Sequence, residues 1–413
     1  MKEIKKKEEI EKIVLKPGLW NNDRRVSHGF CLSPDVYRLK KKHETEFKKI
    51  AFALNNCLLG LSRIANMTLD YKVARGRDWN MIRRVLRTGI PRAYRNIQLP
   101  YPDLIPSICK VDFIQGVDGR FWISEIDGYN KHGLGYSVLA KRISRFIYPE
   151  ANRFPGVVFV INKALKEPEN KINKLVLIYN NDDRFYLPEF LILQDELKDH
   201  DIDLLIESED NFKIKITTPQ FFVDFPILSN LKLRKELIHL YYENKIKFLI
   251  PPKPFFSSKA VLALLKNDIQ NKEIEKILKS QINSSSLKKI REHIPRTYFV
   301  NQEKKIKVED FVIKGVFSSG SKEVFFSDEP IFKKKLEQAY ASGYNFILQE
   351  EIVNALNRFK YFSENDKIKE DDWSIRLTVH FNFKEIAEMT VVARKDRKIH
   401  GAIDCLQLGV IFE

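Results

Sequence analysis

The stretch Lys110-Val-Asp-Phe-Ile-Gln-Gly-Val-Asp-Gly-Arg-Phe-Trp-Ile-Ser-Glu-Ile-Asp127 decides how this chain is read. Two runs of alternating apolar residues flank a Gly-rich turn centred on Asp118-Gly119. Asp-Gly is the favoured pair for a two-residue type I′ loop, in which both central residues need positive φ. Such a loop sets Asp112 opposite Glu125 and Lys110 opposite Asp127. Directly opposed side chains share a sheet face with Cβ atoms about 5 Å apart, and like charges so placed repel. Asp127 lies on that face too, because side chains two residues apart on a strand point the same way. Three carboxylates on one small patch need a cation. Either Lys110 neutralises one acid and water solvates the others, or the patch takes a hard divalent ion. Mg²⁺ prefers carboxylate oxygens and completes its shell with waters and substrate phosphates. The following Gly128-Tyr-Asn-Lys-His-Gly-Leu-Gly-Tyr136 helps the second reading, since a Gly-rich polar loop can approach a phosphate or second substrate closely.

Outward from the hairpin, 413 residues with 44% hydrophobic and 12% aromatic content describe a globular chain with room for two or three domains. No apolar run approaches the ~20 residues of a membrane span. The start, Met1-Lys-Glu-Ile-Lys-Lys-Lys-Glu-Glu9, has charge without the apolar core of a signal peptide. Cys31, Cys57, Cys109 and Cys405 form no CxxC pair, which argues against zinc or a disulfide framework and fits a reducing cytoplasm. The net charge of +16 raises nucleic-acid binding. The lysines, however, are spread along the chain and mixed with glutamates, which suits small anions such as ATP and carboxylates equally. Nucleic acid is not the expected partner, nor is a membrane.

In chain order, 1–34 reads as an irregular arm. A helix is expected from Ser33-Pro34, with Ser33 as N-cap and an apolar stripe of Phe47, Ile50, Ala51, Leu54, Leu58 and Leu61. A second helix at 80–88 carries Arg83, Arg84 and Arg87, read as a solvated face ahead of an anion contact. A helix at 137–150 closes the hairpin unit. Strands at 175–179, 202–207, 221–225 and 246–250, with helices at 187–199 and 231–245, form a small Rossmann-like module. It lacks G-x-G-x-x-G, so dinucleotide binding is not supported. The expected fold class is α+β / α/β, divided as 1–105, 106–150, 171–255 and 256–413.

Phe311-Val-Ile-Lys-Gly-Val-Phe-Ser-Ser-Gly-Ser-Lys-Glu-Val-Phe-Phe326 reads as strand, small-residue loop, strand. Its Gly-x₄-Gly-Ser-Lys lacks the Gly-Lys-Ser/Thr order and the following helix of a P-loop, so a P-loop NTPase is rejected. A flap remains whose backbone N–H groups can cover phosphates. Lys314, within its apolar first strand, either seeks an anion or snorkels to the sheet edge. Asn345-Phe-Ile-Leu-Gln-Glu-Glu-Ile352 is a strand with a polar end suited to a purine edge. Trp373-Ser-Ile-Arg-Leu-Thr-Val-His-Phe381 and Glu388-Met-Thr-Val-Val-Ala-Arg394 are strands each interrupted by one arginine. Arg376 and Arg394 are candidate phosphate clamps.

Together these pieces resemble the ATP-grasp superfamily in its circularly permuted form, as in glutathionylspermidine synthetase and eukaryotic glutathione synthetase. Asp112 and Glu125 match the acids of its "D … E-x-N" set, with Asp127 in place of Asn, which keeps an oxygen but adds a charge. Ser258-Lys259-Ala-Val-Leu-Ala-Leu-Leu265 resembles the "N-K-A-x-L" helix, and Ile294-Pro-Arg-Thr297 the "I-P-x-T" before the grasp strands. Val312-Ile-Lys314 resembles "V-x-K-P", with Gly315 for Pro, and Leu348-Gln-Glu-Glu-Ile352 the adenine hinge. The resemblance spans 105–405 in order.

It implies Asp112, Glu125 and Asp127 as ligands for one or two Mg²⁺ and Lys259 and Lys314 on nucleotide phosphates. Ser318, Ser319, Gly320 and Ser321 would form the flap, and Gln349, Glu350, Glu351 and Ile352 would hold adenine. Lys110, Arg394 and Arg376 would attend the transferred phosphate, and the Rossmann-like module would be an inserted pre-ATP-grasp unit. The implied cofactors are ATP and Mg²⁺. The implied activity is an ADP-forming carboxylate–amine ligase acting through an acyl phosphate on small-molecule acid and amine substrates. A small-molecule kinase, or a non-catalytic basic protein binding nucleotide or nucleic acid, are the alternatives. Tyr129, Asn130, His132, Arg83 and Arg87 are expected near the substrates.

Overall fold

Period-two alternation along 109–127 and 368–412 produces a sheet with one apolar and one polar face, and the other elements are arranged on those faces. The computed structural model describes residues 2–15, 31–95, 97, 101–129, 131–149, 154–166, 173–214, 220–225, 228–268, 270–300, 307–318, 321–363, 367–382, 385–401 and 404–413. The first elements are α1 (Lys2–Leu15), β1 (Tyr37–Leu39), α2 (Lys41–Met67), α3 (Arg77–Val85), β2 (Cys109–Gln115), β3 (Phe121–Asp127), α4 (Leu134–Ile147) and α5 (Val157–Leu165). There follow β4 (Lys174–Tyr179), α6 (Leu187–Lys198), β5 (Asp203–Ser208), β6 (Gln220–Asp224), α7 (Leu231–Tyr242) and β7 (Ile246–Ile250). Next come α8 (Ala260–Lys266), α9 (Lys272–Gln281), α10 (Ser284–His293), β8 (Thr297–Phe299), β9 (Phe311–Gly315) and β10 (Val324–Phe326). The chain closes with α11 (Phe332–Ala341), β11 (Phe346–Glu350), β12 (Leu356–Phe362), β13 (Ile368–Phe381), β14 (Ile386–Arg394) and β15 (Cys405–Phe412).

A seven-stranded sheet runs β1-β15-β14-β13-β2-β3, with β12 also on β13. β13 pairs β12 along its first half and β2 along its second. Val111, Phe113, Ile123, Leu377, Val379, Val391 and Leu408 form the apolar face, packed with Phe47, Ile50, Leu54 and Leu61 of α2. Phe47 meets Phe113 and Phe121 with ring centroids 5.2 and 5.4 Å apart. The polar face lies partly under α4. Gly409 allows that approach, because a Cβ there would stand 2.7 Å from the Ala140 carbonyl oxygen and on top of the Ser144 hydroxyl.

The expected α/β unit is present as a parallel sheet, β5-β4-β6-β7. Its core continues into α4 and α5. A third sheet, β10-β9-β11-β8, is antiparallel and buries Phe311, Ile313 and Leu348 against Phe332 and Ala339 of α11. No helix among the described residues is long and apolar enough to cross a membrane. All four cysteines are free.

Several expectations change. The arm is helical from Lys2, because Ile10 and Val14, one turn apart, are buried against α4. Ser33 caps no helix: its hydroxyl donates to the Lys360 carbonyl (2.7 Å) and accepts from the Asp35 N–H (3.0 Å). Tyr37–Leu39 instead completes the sheet beside β15, so tertiary pairing overrides the local N-cap signal. Helix α2 starts only at Lys41. The polar stretch 268–290 holds two helices, each started by an asparagine cap, Asn271 and Asn283. Strands β8, β12 and β15 and helix α5 carry no expectation from the sequence reading.

Gly409→Ala should push α4 from the sheet and cost about 2 kcal/mol in urea denaturation. An unchanged midpoint would contradict the close packing.

Candidate functional site

The hairpin forms, but with a different turn. The Gly116 N–H donates to the Arg120 carbonyl and the Gly119 N–H to the Gly116 carbonyl, both at 2.9 Å, closing a three-residue loop of Val117 to Gly119. Only Gly119, at φ 75°, has positive φ there, and Asp118 accepts from the Arg120 N–H (3.0 Å) and Nε (2.6 Å). This loop moves the register by one, so Ile114 faces Trp122 and Phe113 faces Ile123. A bulge between Asp112 and Phe113 moves it back, with Ser124 as the extra residue. Asp112 therefore does face Glu125, and Lys110 faces Asp127.

Rows of polar side chains cross the sheet on this face. Strand register aligns Asp127, Lys110, His380 and Glu388 in one row, and Glu125, Asp112, Thr378 and Thr390 in the next. Burying charge is costly unless it is paired, and each acid of the hairpin has a cation of its own. Lys110 Nζ lies 3.0 Å from Asp127 Oδ2, and the Ser257 hydroxyl donates to Asp127 Oδ1. Lys259 Nζ is 2.9 Å from Glu125 Oε1. Arg376 Nε is 3.6 Å from Asp112 Oδ2, and the Thr378 hydroxyl donates to Asp112 Oδ1 at 2.7 Å. Burial alone would raise both aspartates, but Arg376 and Lys110 beside Asp112, and Lys110 beside Asp127, hold them below the usual carboxylate range. Burial opposes the charge on Lys110, and the surrounding acids, Asp127 first, more than restore it. His380 is pushed down to about 3 by burial and then by Lys110, so its ring is neutral at pH 7. The Ser137 hydroxyl donates to the Gly133 carbonyl (2.9 Å), so His380 Nδ1–H donates to Ser137 Oγ (2.9 Å).

The polar face emerges from under α4 into a cleft against the antiparallel sheet. Asp112, Glu125, Lys259, Lys314, Gln349 and Arg376 line it, with Ser318, Ser321, Glu350, Glu351 and Ile352. Its enclosed part measures about 130 Å³, below the ~300–1,000 Å³ of a typical ligand pocket. A wider groove of about 870 Å³ beside β5 and α6 shares none of these residues. Alternation places Lys314 on the cleft side of β9, opposite in face to Phe311 and Ile313. Its Nζ donates to Gln349 Oε1 at 2.6 Å, and Gln349 Nε2 donates to Thr297 Oγ1 at 3.2 Å. Burial, and then the charge of Lys259, lower Lys314 to about 8. Helix α8, apolar on all sides and buried, begins where the Lys259 N–H donates to the Val316 carbonyl (2.9 Å). The Lys259 ammonium also donates to the Ser318 carbonyl at 2.7 Å. Glu350 pairs with Arg296 at 3.0 Å and Glu351 with Arg397 at 3.8 Å.

Not every expected residue gathers here. Asp127 and Lys110 sit one row deeper and do not line the cleft, and among the described residues no three His, Cys, Asp or Glu side chains are grouped closely enough to hold a metal. Arg394 is diagonal to Arg376 on the same face but does not line the cleft itself; its Nη1 donates to the carbonyl of Lys398 (2.8 Å), which does. Ser319, Gly320 and Asn130 lie outside the described residues. Arg83 is buried, not solvated, and donates to the Thr68 and Ala74 carbonyls, fastening α3 to the end of α2. Arg87 does not line the cleft either. The Tyr129 hydroxyl donates to the Phe225 carbonyl, and His132 pairs with Asp183 at 3.1 Å, joining their loop to the parallel module. Thr378, His380 and Ser257 were missed. The first two share the parity of Arg376 along β13, which is the signal that could have found them.

No protein-family model matches the sequence, and no curated protein matches it. Among solved structures, a glutathione synthetase-like effector from Globodera pallida aligns with TM-score 0.59 over 99% of this chain and 97% of that one, at 12% identity. The chain has a glutathione synthetase-like fold. A putative gamma-glutamylcysteine synthetase from Methylobacillus flagellatus aligns at TM-score 0.36 and 11% identity, over 79% and 85% of the two chains, which is too low to carry an argument. At 12% identity the first likeness speaks to the glutathione synthetase-like fold alone.

Lys110→Met should leave Asp127 buried without its cation and cost about 3–5 kcal/mol at neutral pH. In the unaltered protein the stabilisation from Asp112 and Asp127 is complete above the unfolded carboxylate value of about 4 and is lost as pH falls through their lower folded values. The variant should therefore lose less on acidification, as read by urea denaturation across pH. Equal losses in both proteins would contradict the pairing.

Proposed function

We propose that this chain is an ATP-dependent, ADP-forming carboxylate–amine ligase of the circularly permuted ATP-grasp type, with the parallel module as its inserted unit. One observation carries the reading: Lys259, Lys314 and Arg376, from three separate elements, converge with Asp112 and Glu125 in a cleft between two sheets. A desolvated lysine such as Lys314, which among the described residues donates to a neutral amide, is a strong site for a phosphate oxygen. Lys259 and Arg376 supply two further cations at fixed positions. Preorganised donors of this kind stabilise charge that develops during phosphoryl transfer.

The donor set fits Mg²⁺, since Asp112 and Glu125 offer hard oxygens and phosphates and waters would complete the shell. One or two such ions, held by Asp112 and Glu125, would offset the charge that develops during phosphoryl transfer. Glu350, Glu351 and Ile352, with Gln349, would receive the base at the end of β11. Ser318 and Ser321, with Ser319 and Gly320 between them, would cover the phosphates. Lys110 and Arg394 would act from the next rows of the sheet, and Asp127 through Lys110. The substrate carboxylate takes the terminal phosphoryl group and ADP leaves. An amine then attacks the acyl carbon and expels phosphate, so no side-chain nucleophile is required.

An ADP-release screen of acid and amine pairs tests the reading. Release that requires both partners supports it, release with a hydroxyl acceptor alone would indicate a kinase, and no nucleotide binding at all would overturn both. Asp112→Ala with Glu125→Ala should abolish turnover.

Lys314 gives a second prediction. In the free protein it titrates near 8, and an adjacent phosphate would raise that value. Nucleotide binding should therefore take up a proton and weaken as pH rises past about 8. Calorimetry in buffers of different ionisation enthalpy checks this, and Lys314→Met should remove the proton uptake.

A further inference from the structure

We infer that in the free protein Lys259 occupies the place of a divalent cation on Glu125, so that metal binds there only after nucleotide phosphates have drawn the lysine away. This rests on the nucleotide reading of the cleft. Lys259 is buried, and among the described residues its ammonium meets Glu125 Oε1 at 2.9 Å and the Ser318 carbonyl at 2.7 Å. Both partners are oxygens, one of them anionic, as a hard metal ion would choose. Its backbone N–H is fixed independently to the Val316 carbonyl, so the side chain can move without releasing α8.

Charge counting gives the direction. Asp112, Glu125, Glu350 and Glu351 bring four negative charges to the cleft lining against four positive ones from Lys259, Arg376, Arg397 and Lys398, and Lys259 and Arg376 already answer Glu125 and Asp112. Lys314 adds positive character that no acid in the cleft contacts directly. A divalent ion arriving alone would enter a site without net negative charge and meet Lys259 at its ligand. A nucleotide triphosphate reverses this, because its oxygens compete for Lys259 and leave Glu125 Oε1 to the metal. Lys259 thereby exchanges one anion for another and is never left buried without a partner, which would be costly. The same ammonium joins the hairpin to the β9–β10 connection, in keeping with the small enclosed volume of the cleft.

The test is Mn²⁺ titration by electron paramagnetic resonance, without nucleotide, on the full chain and on Lys259→Met and Lys259→Gln. Removing one like charge at the site should tighten Mn²⁺ binding by about tenfold or more in both variants. Adding Glu125→Gln to Lys259→Met should cancel the gain. Variants that stay folded by thermal denaturation yet bind Mn²⁺ within about twofold of the parent would overturn the inference. So would tight nucleotide-free Mn²⁺ binding to the unaltered protein that Glu125→Gln abolishes, a measurement that needs only the Glu125→Gln control to fold. Calorimetry of the parent with Mg²⁺ and an imido-linked ATP analogue separates the two failures. Analogue binding without the Mn²⁺ gain sinks the place-holding role alone. A Mn²⁺ gain without analogue binding sinks the nucleotide reading and leaves the metal competition standing.

Discussion

Acidic side chains buried on one face of a sheet must be neutralised where they stand, and this chain does so from three directions. Lys110 neutralises Asp127 along the hairpin, Arg376 reaches Asp112 from β13, and Lys259 meets Glu125 from the start of α8. An unpaired charge in such surroundings costs several kcal/mol, so the pairs tie together on the polar face elements that also share the apolar core. The opposite face, packed under α2, supplies ordinary hydrophobic stabilisation. The sheet is thus divided between a face that holds the fold and a face that concentrates charge.

That division also locates the cleft. Helix α4 covers the row of His380 and Glu388, and Gly409 lets it lie close. The next row runs from Gly409 under the helix to Asp112 and Glu125, and that acidic end meets the antiparallel sheet, whose polar side presents Lys314 and Gln349. Two sheets facing each other through charged residues form a surface that water or an ionic ligand can enter, whereas two apolar sheets would have closed into core. The glutathione synthetase-like fold describes the scaffold, and the charge arrangement is particular to these residues.

Much of this was legible in the sequence because period-two alternation is a local signal. Alternation marks β9 and β14, while short continuous apolar runs mark the buried strands β4, β6, β7 and β11 and three-to-four spacing marks the stripe of α2. The facing of Asp112 and Glu125 was legible for a reason only half right, since a longer loop and a bulge cancel and neither is written in the Asp-Gly pair. What stayed hidden depends on distant partners. Residues 37–39 are too few to announce a strand without β15 beside them. Arg83 looks like a surface residue until the Thr68 and Ala74 carbonyls close on it. The cations that neutralise Glu125 and Asp112, Lys259 and Arg376, come from distant positions, the nearer of them 134 residues away. The facing acids of the hairpin suggested a metal where the chain supplies its own ammonium and guanidinium groups.

The bulge at Ser124 has an effect beyond register. In a regular ladder Glu125 would lie flat beside Asp112, two like charges held at the closest spacing a sheet allows. An extra residue sharpens the local twist and re-aims the side chain that follows. Glu125, the residue that follows the bulge, meets Lys259 at the start of α8, and electrostatic repulsion within the hairpin becomes an anchorage between distant parts of the polypeptide. One serine, contributing a hydroxyl bond to the Asp112 carbonyl and no charge, sets which neighbour the glutamate answers to.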